Sequence, residues 1–447
     1  MAGGTWQAQD KVRPGAYINF QAVERKPGMI GNRGIGAICM PLSWGEQGSL
    51  IEVLSTDLAD SSKKLIGLTS ADAGCKLLDG MLSYCYKALV YRGDTGGSKA
   101  TVTIGDQETG TLTATARYNG LLGNHIIVAV LEGVSAGLFD VSTYVDGVLE
   151  DSQVVAEISE LHANDWVEFS GTGDLSLSAG AQLAGGLNGT YTESVAYEAM
   201  EALLRTAEWQ TLAVPSDTAA IKTSAKNFIK SMRDDEGRYV QCVVADDDTC
   251  DYEGFINNVC GCVIDGVTFT PAEFTAIVAG MTAGADVNES NTAREIKGAQ
   301  SIVNELSDRN IVKGIKKGQF IISTSRSGAI RVEKDINSLH TFTEKKTYPF
   351  CKNRVIRTLD QIGTDTVMTW EDSYLGKVDN NATGRAAFKA DLIAYGNEAN
   401  RRNMILDFEG TDITVTQGSD IESVRCDWYI RPVDSMEKLY MTVFVSA

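Results

Sequence analysis

The sequence has little of what most reaction sites are built from. Its three histidines, His125, His162 and His340, stand far apart in a chain of 447 residues, whereas acyl transfer needs a histidine beside a serine or cysteine nucleophile. Thr324 to Gly328 comes nearest to a nucleophile elbow but lacks the leading glycine. There is no paired CxxC and no HExxH, and Cys260-Gly261-Cys262 leaves one residue between its thiols. Asp246, Asp247, Asp248 and Asp251 cluster, but without the glycine that a calcium loop needs at its sixth position, so they read as a solvated loop. Gly93 to Lys99 is the nearest approach to a phosphate loop; its ending is wrong and the residues beyond it are β-rich. Gly31, Gly34 and Gly36 do not complete a dinucleotide loop. No catalytic residue, cofactor or metal ligand is therefore assigned.

Long apolar runs are also missing. Ile126 to Leu131 is typical of the longest, far short of a bilayer span, and Met1 to Val12 lacks the apolar stretch of a signal peptide. With nine scattered cysteines, this implies a chain made and kept in the cytoplasm with free thiols. The net charge of −19 argues against nucleic-acid binding. That charge is uneven. Between Arg309 and Arg357 twelve basic residues face three acidic ones, a local +9 that an acidic surface of another copy could meet. Seven prolines against 44 glycines imply tight turns and few stiff linkers.

What is present divides into zones. Ala16 to Val23 alternates as a strand near the chain start. Gly36 to Pro41 and Ala88 to Arg92 read as strands around a helix carrying Leu77, Leu78, Met81, Leu82 and Cys85. From Gly93 to about Gly186 the composition turns to Gly, Thr, Ser and Val with recurring turns, which predicts an all-β insert. Helical spacing follows at Tyr197, Met200, Leu204 and Ala207, and again after an expected Asp217 N-cap at Ile221, Phe228, Ile229 and Met232. Thr211 to Val214 and the apolar run Tyr239 to Ala245 read as buried strands. Thr270-Pro271-Ala272-Glu273 is a capping box that opens a third helix. Arg354 to Ile362 fits strand or helix. Phe388, Leu392, Tyr395 and Ala399 mark a helix from Gly384 to Asn403, and strands follow at Asp412 to Gln417 and Val424 to Pro432. In the last stretch Leu439, Met441, Val443 and Val445 alternate with Tyr440, Thr442 and Phe444, a strand apolar on both faces at a place where chains are normally wet.

Asn353 to Ile362 resembles the NRVIRTLD segment of phage tail sheath proteins. Tyr374 to Asn381 with Gly384-Arg385 resembles a second motif of that family, and Arg431 to Tyr440 resembles its PVDAMEKLY ending. Leu183 to Gly189 is similar to the family's GGxDG entry to the α/β domain, with Asn188 in place of the aspartate, and Gly4 to Phe20 is similar to sheath proteins of Gram-positive phages and phage-tail-like bacteriocins.

The resemblance implies an α+β multidomain chain: a β-sandwich insert at 93–186, a subtilisin-like α/β domain at 24–92 and 187–345, and a C-terminal α+β domain at 346–432. Extended strand arms at 1–23 and 433–447 complete it. It implies a non-enzymatic subunit that polymerises around an inner tail tube protein, meets baseplate and tail-terminator proteins, and contracts. Ala16, Tyr17, Ile18, Asn19 and Phe20, with Leu439, Tyr440, Met441, Thr442, Val443, Phe444 and Val445, would be the linking strands, joined to the body by flexible stretches at Gly3 to Lys11 and Asp434 to Glu437. Arg385, Lys389, Arg401 and Arg402 would face the tube. The competing expectations are an α/β hydrolase and a host-surface-binding tail protein.

Overall fold

The computed structural model describes residues 2–4, 15–17, 30–59, 61–106, 108 and 110–445. The chain forms two units, one of Met1–Gly31 with Asp365–Arg431, the other of Asn32–Thr364 with Pro432–Ala447.

In the larger unit, strands with unbroken apolar runs stack into a seven-stranded sheet. Its order is Gln319–Phe320, Phe255–Asn258, Gln241–Ala245, Thr211–Ala213, Ile35–Met40, Lys87–Arg92 and Leu50–Leu54. All neighbours are parallel except the last pair. Because successive side chains on a strand point to opposite faces, Ala37, Cys39, Leu212, Cys242 and Val244 enter one core, and Ile38, Met40, Ala213 and Val243 the other. Helices Glu193–Leu204 and Ala219–Lys230 cover the first face, Lys76–Leu82 and Pro271–Gly284 the second. The capping box of Pro271–Gly284 forms as its sequence requires, with Thr270 and Glu273 each accepting the other's backbone N–H. That helix packs so closely that a side chain on Gly280 or Gly284 would overlap the carbonyl oxygens of Met81 and Tyr84. The helix expected after Asp217 starts one residue later, with Thr218 at its N-cap.

The β-rich zone is a sandwich of two antiparallel sheets. One runs Val148–Val155, Phe139–Val145, Ile126–Glu132, Ser178–Gln182; the other Val167–Gly173, Gly110–Asn119, Lys99–Asp106. Its core takes in Trp44, contributed from the sequence before it. This ring is fully buried, 5.2 Å from Tyr118 and 5.3 Å from Trp166, and its indole N–H donates to the Lys64 carbonyl at 3.1 Å. Where the chain enters and leaves the insert, Asp94–Thr95 pairs with Thr190–Tyr191. Arg92 and Asp94, both buried, bond at 2.7 Å, and Arg92 also donates to the carbonyls of Gly45 and Asn119. The glycine-rich stretch from Gly93 is thus a crossing between layers, not a cradle for phosphate.

The smaller unit holds helix Ala382–Arg401, N-capped by Asn381, whose side chain accepts from the Gly384 N–H at 2.9 Å. Phe388 and Leu392 of this helix pack with Tyr374 and with Ile413 of the hairpin Ile413–Gln417/Val424–Trp428. The ambiguous stretch from Arg354 is helical, part of Asn353–Ser373.

Eight of the nine cysteines are buried free thiols, and Cys426 is exposed. Burial pushes Cys39, Cys85 and Cys250 up to about 12, which removes the reactive thiolate. A thiol-reactive chromophore should therefore label one cysteine in the native chain and nine after unfolding in denaturant. Two or more fast-labelling native thiols would contradict this packing.

Candidate functional site

Near the chain's start Gly15–Tyr17 forms a strand, and residues 18–23 of the expected strand Ala16 to Val23 lie outside the described residues. Gly15–Tyr17 pairs in parallel with Ala2–Gly4 of the same chain, with Ala16 opposite Gly3 and Tyr17 opposite Gly4. Ile18, Asn19 and Phe20 lie outside the described residues.

At the other end the expected strand Leu439 to Val445 is not formed. Strands exist by virtue of ladder hydrogen bonds to a neighbour, and a single chain supplies none here. The segment has no regular secondary structure and is exposed, with Leu439 at 85%, Phe444 at 90% and Val445 at 90% of full exposure. Tyr440, Met441 and Val443 are exposed as well. Covering six such side chains is worth on the order of 10 kcal/mol before the costs of association. Seven extended residues reach about 23 Å.

The root of this segment differs from the flexible connector expected there. Asp434 to Glu437 is not a loose connector. Glu437, 12% exposed, receives the ammonium of Lys352, which is 4% exposed and also lies 3.2 Å from Asp434. The Thr292 hydroxyl donates to Glu437 at 2.8 Å, and Lys334 approaches its other oxygen at 3.9 Å. Glu437 turns inward and Asp434 reaches Lys352 from the surface, while Met436 between them is fully exposed. Their presence raises the Lys352 pKa against the opposing effect of burial.

The run of basic residues from Arg309 to Arg357 is correspondingly less of a face than its charge count implies. Lys352 and Arg357 are buried, Lys346 pairs with Glu253, and Arg357 bonds Asp335 at 2.7 Å with both side chains at 1% exposure or less. Arg309, Lys313, Lys316, Arg326, Arg331 and Lys345 do point outward.

On helix Ala382–Arg401 and just past its end the four expected cations have different fates. Arg385 donates to the Asn380 side chain at 2.8 Å and lines a cavity of about 470 Å³ with Trp370, Tyr374, Phe388 and Ile421. Arg401 and Arg402 converge on Glu398 at 2.6 and 2.8 Å and hold its carboxyl down at about 2. Lys389 is half-buried beside Val415 to Gln417. The helix exposes small residues instead, Ala386, Ala390 and Ala394.

Among the described residues no group of three His, Cys, Asp or Glu side chains could hold a metal ion, and no helix is long and apolar enough to cross a membrane. His125 faces Asp146 at 2.7 Å and His340 the Ser338 carbonyl at 2.9 Å.

Three family models match in succession: the phage tail sheath protein beta-sandwich domain over residues 95–188, the central domain over 189–338 and the C-terminal domain over 345–446. The phage-like element PBSX protein XkdK of Bacillus subtilis is 34% identical over the whole of both chains. This chain belongs to the phage tail sheath family. A solved sheath tail protein from Desulfitobacterium hafniense shares 39% identity and superposes with a TM-score of 0.78, covering 96% of this sheath chain and 99% of the other. The helical sheath of the anti-feeding prophage in its contracted state shares the fold alone, at 10% identity and a TM-score of 0.56 over 97% and 99% of the two chains. The sheath family is structural, so the features to explain are contact surfaces. Of these, sequence reasoning missed the Lys352–Glu437 clasp, because the partners are 85 residues apart and a charge in a sequence reads as solvated. The one available signal was the i, i+3 spacing of Asp434 and Glu437 within the sheath-like ending.

Proposed function

We propose that this sheath protein polymerises helically around an inner tail tube, its copies linked by strand exchange of their terminal segments, and that the lattice contracts to drive the tube through a cell envelope. The carrying observation is the exposed, alternating apolar segment Leu439 to Val445. A heterologous contact that does not close on itself builds an open helix, and strand addition gives it affinity through main-chain bonds and register through alternate side chains. A ready acceptor is the hairpin Ile413–Gln417/Val424–Trp428 of another copy. Its strands are five residues long and pair only with each other among the described residues, so the outer edges of the hairpin keep main-chain groups that a further strand could meet.

Helix Ala382–Arg401 is our candidate for the tube-facing surface, now through Lys389 and its small exposed residues as well as through Arg401 and Arg402, whose charge Glu398 offsets only by half. A mostly parallel sheet covered by helices on both faces supports a subtilisin-like topology without that enzyme's chemistry. Baseplate and terminator proteins would bound the polymer, assembly would take place in the bacterial cytoplasm, and contraction would draw on area buried between copies, with no nucleotide. Negative-stain microscopy of the purified protein, alone and with the tube protein of the same particle, should show long hollow cylinders. Particles that stay monomeric at every concentration with tube protein present would overturn the reading.

A further inference from the structure

We propose that Glu437 is the fixed root of the C-terminal linking arm, a positioning residue that locks Asp434–Glu437 to the body of its own chain so that the arm's free length begins at Lys438. The inference rests on the linking role just given to Leu439 to Val445, and it assigns to a single carboxylate the job of aiming that segment.

The groups around Glu437 form a continuous chain of contacts into the core. Its carboxylate accepts from Lys352 and from the Thr292 hydroxyl, and the same hydroxyl oxygen accepts from the Asp335 N–H at 3.0 Å. Asp335, buried, is held in turn by Arg357 at 2.7 Å, by the Asn353 side chain at 2.8 Å and by the Asn291 N–H at 2.9 Å. Asn353 and Arg357 lie in the first turns of helix Asn353–Ser373. Force applied to the arm is therefore delivered to a helix start and to a buried ion pair.

Two features make this more than a chance surface pairing. Lys352 is nearly inaccessible, and an ammonium is withdrawn from water at a cost that only close anionic partners offset. Both of those partners, Asp434 and Glu437, belong to the arm root. The exposure also changes in pattern: through the root the exposed Asp434 and Met436 alternate with the partly covered Ser435 and Glu437, whereas Lys438 and every described residue beyond it are exposed. A fixed root narrows the volume that the following seven residues search and so raises their effective concentration at a neighbour's sheet edge, as a shortened linker does.

The test uses the full chain. Trypsin cutting after Lys438, followed by mass spectrometry at a concentration below assembly, reports release of the root, because a protease needs several residues on either side of the bond to be free. Glu437→Ala and the isosteric Glu437→Gln should each raise the cutting rate at least ~10-fold, measured well below their melting temperatures, which fall as the buried Lys352 loses a partner. They should also raise the concentration at which polymer appears by about the same factor. Glu437→Asp, which keeps the charge, should restore part of both. Should Glu437→Ala fail to fold, Glu437→Gln carries the comparison. Wild-type rates of cutting and assembly in the folded variants would overturn the clasp while leaving the sheath reading intact. A wild-type chain that never polymerises would sink the sheath reading, and the trypsin comparison would still decide the clasp.

Discussion

Deleting residues 439–447 should yield a chain that folds as before and no longer polymerises. The described part of that segment, Leu439 to Val445, is exposed throughout and forms no strand pairing within the chain, so its loss removes no core contact, and the melting temperature should stay within about 1 °C of the parent. Assembly is another matter. If the segment is the strand that one copy lends another, its removal takes away the ladder and the burial of six apolar side chains together. Even after the entropic cost of ordering an exposed tail, a loss of at least ~3 kcal/mol, about 100-fold in the concentration needed for polymer, is expected. Sedimentation of the truncated and parent chains side by side measures it, with calorimetry as the control for folding. Cylinders formed normally by the truncated chain would remove strand exchange at this end from the mechanism.

The second large effect concerns the body that carries the arm. Arg357→Met should destabilise the larger unit by about 3–5 kcal/mol, the range for breaking one side of a buried ion pair. The size follows from what is left behind. Asp335 would keep Asn353 and the Asn291 N–H but face no cation across 2.7 Å. In the intact protein Arg357 and these hydrogen bonds hold the Asp335 carboxyl below its usual range despite burial. A carboxyl depressed on folding adds stability that is fully present above its unfolded value near pH ~4 and is lost as pH falls through the folded value. Urea midpoints for the wild type and Arg357→Met should thus lie far apart at neutral pH and converge in strong acid. A shift below 1 kcal/mol at neutral pH would show that the pair carries little.

How much of this was legible in the sequence depended on where the polar residues sit. The central strands announced themselves because both of their faces are apolar over strand length, as in Ile35–Met40 and Gln241–Ala245. The helix from Pro271 was legible from its capping box alone. Helix Asn353–Ser373 was ambiguous for a definite reason: it buries Arg357, Thr358, Asp360, Gln361 and Asp365, so a search for apolar periodicity sees its inward face as polar. Asp360, for example, is inside because Arg233 meets it with two bonds, at 2.7 and 2.8 Å. The same blindness turned Lys352 and Arg357 into surface charge. For the chain ends the alternation was readable and the state was not, since a pattern records which faces want covering and says nothing of who covers them.

The seating of Trp44 has an implication of its own. The two crossing strands Asp94–Thr95 and Thr190–Tyr191 lie side by side, an arrangement that would ordinarily let an intervening module be exchanged or trimmed like a cartridge. Here the indole reaches from the scaffold into the cartridge's interior. Any replacement at this position must therefore bring its own socket for one aromatic ring, which ties the outer decoration of the molecule to the layer beneath and limits how freely the two can diverge.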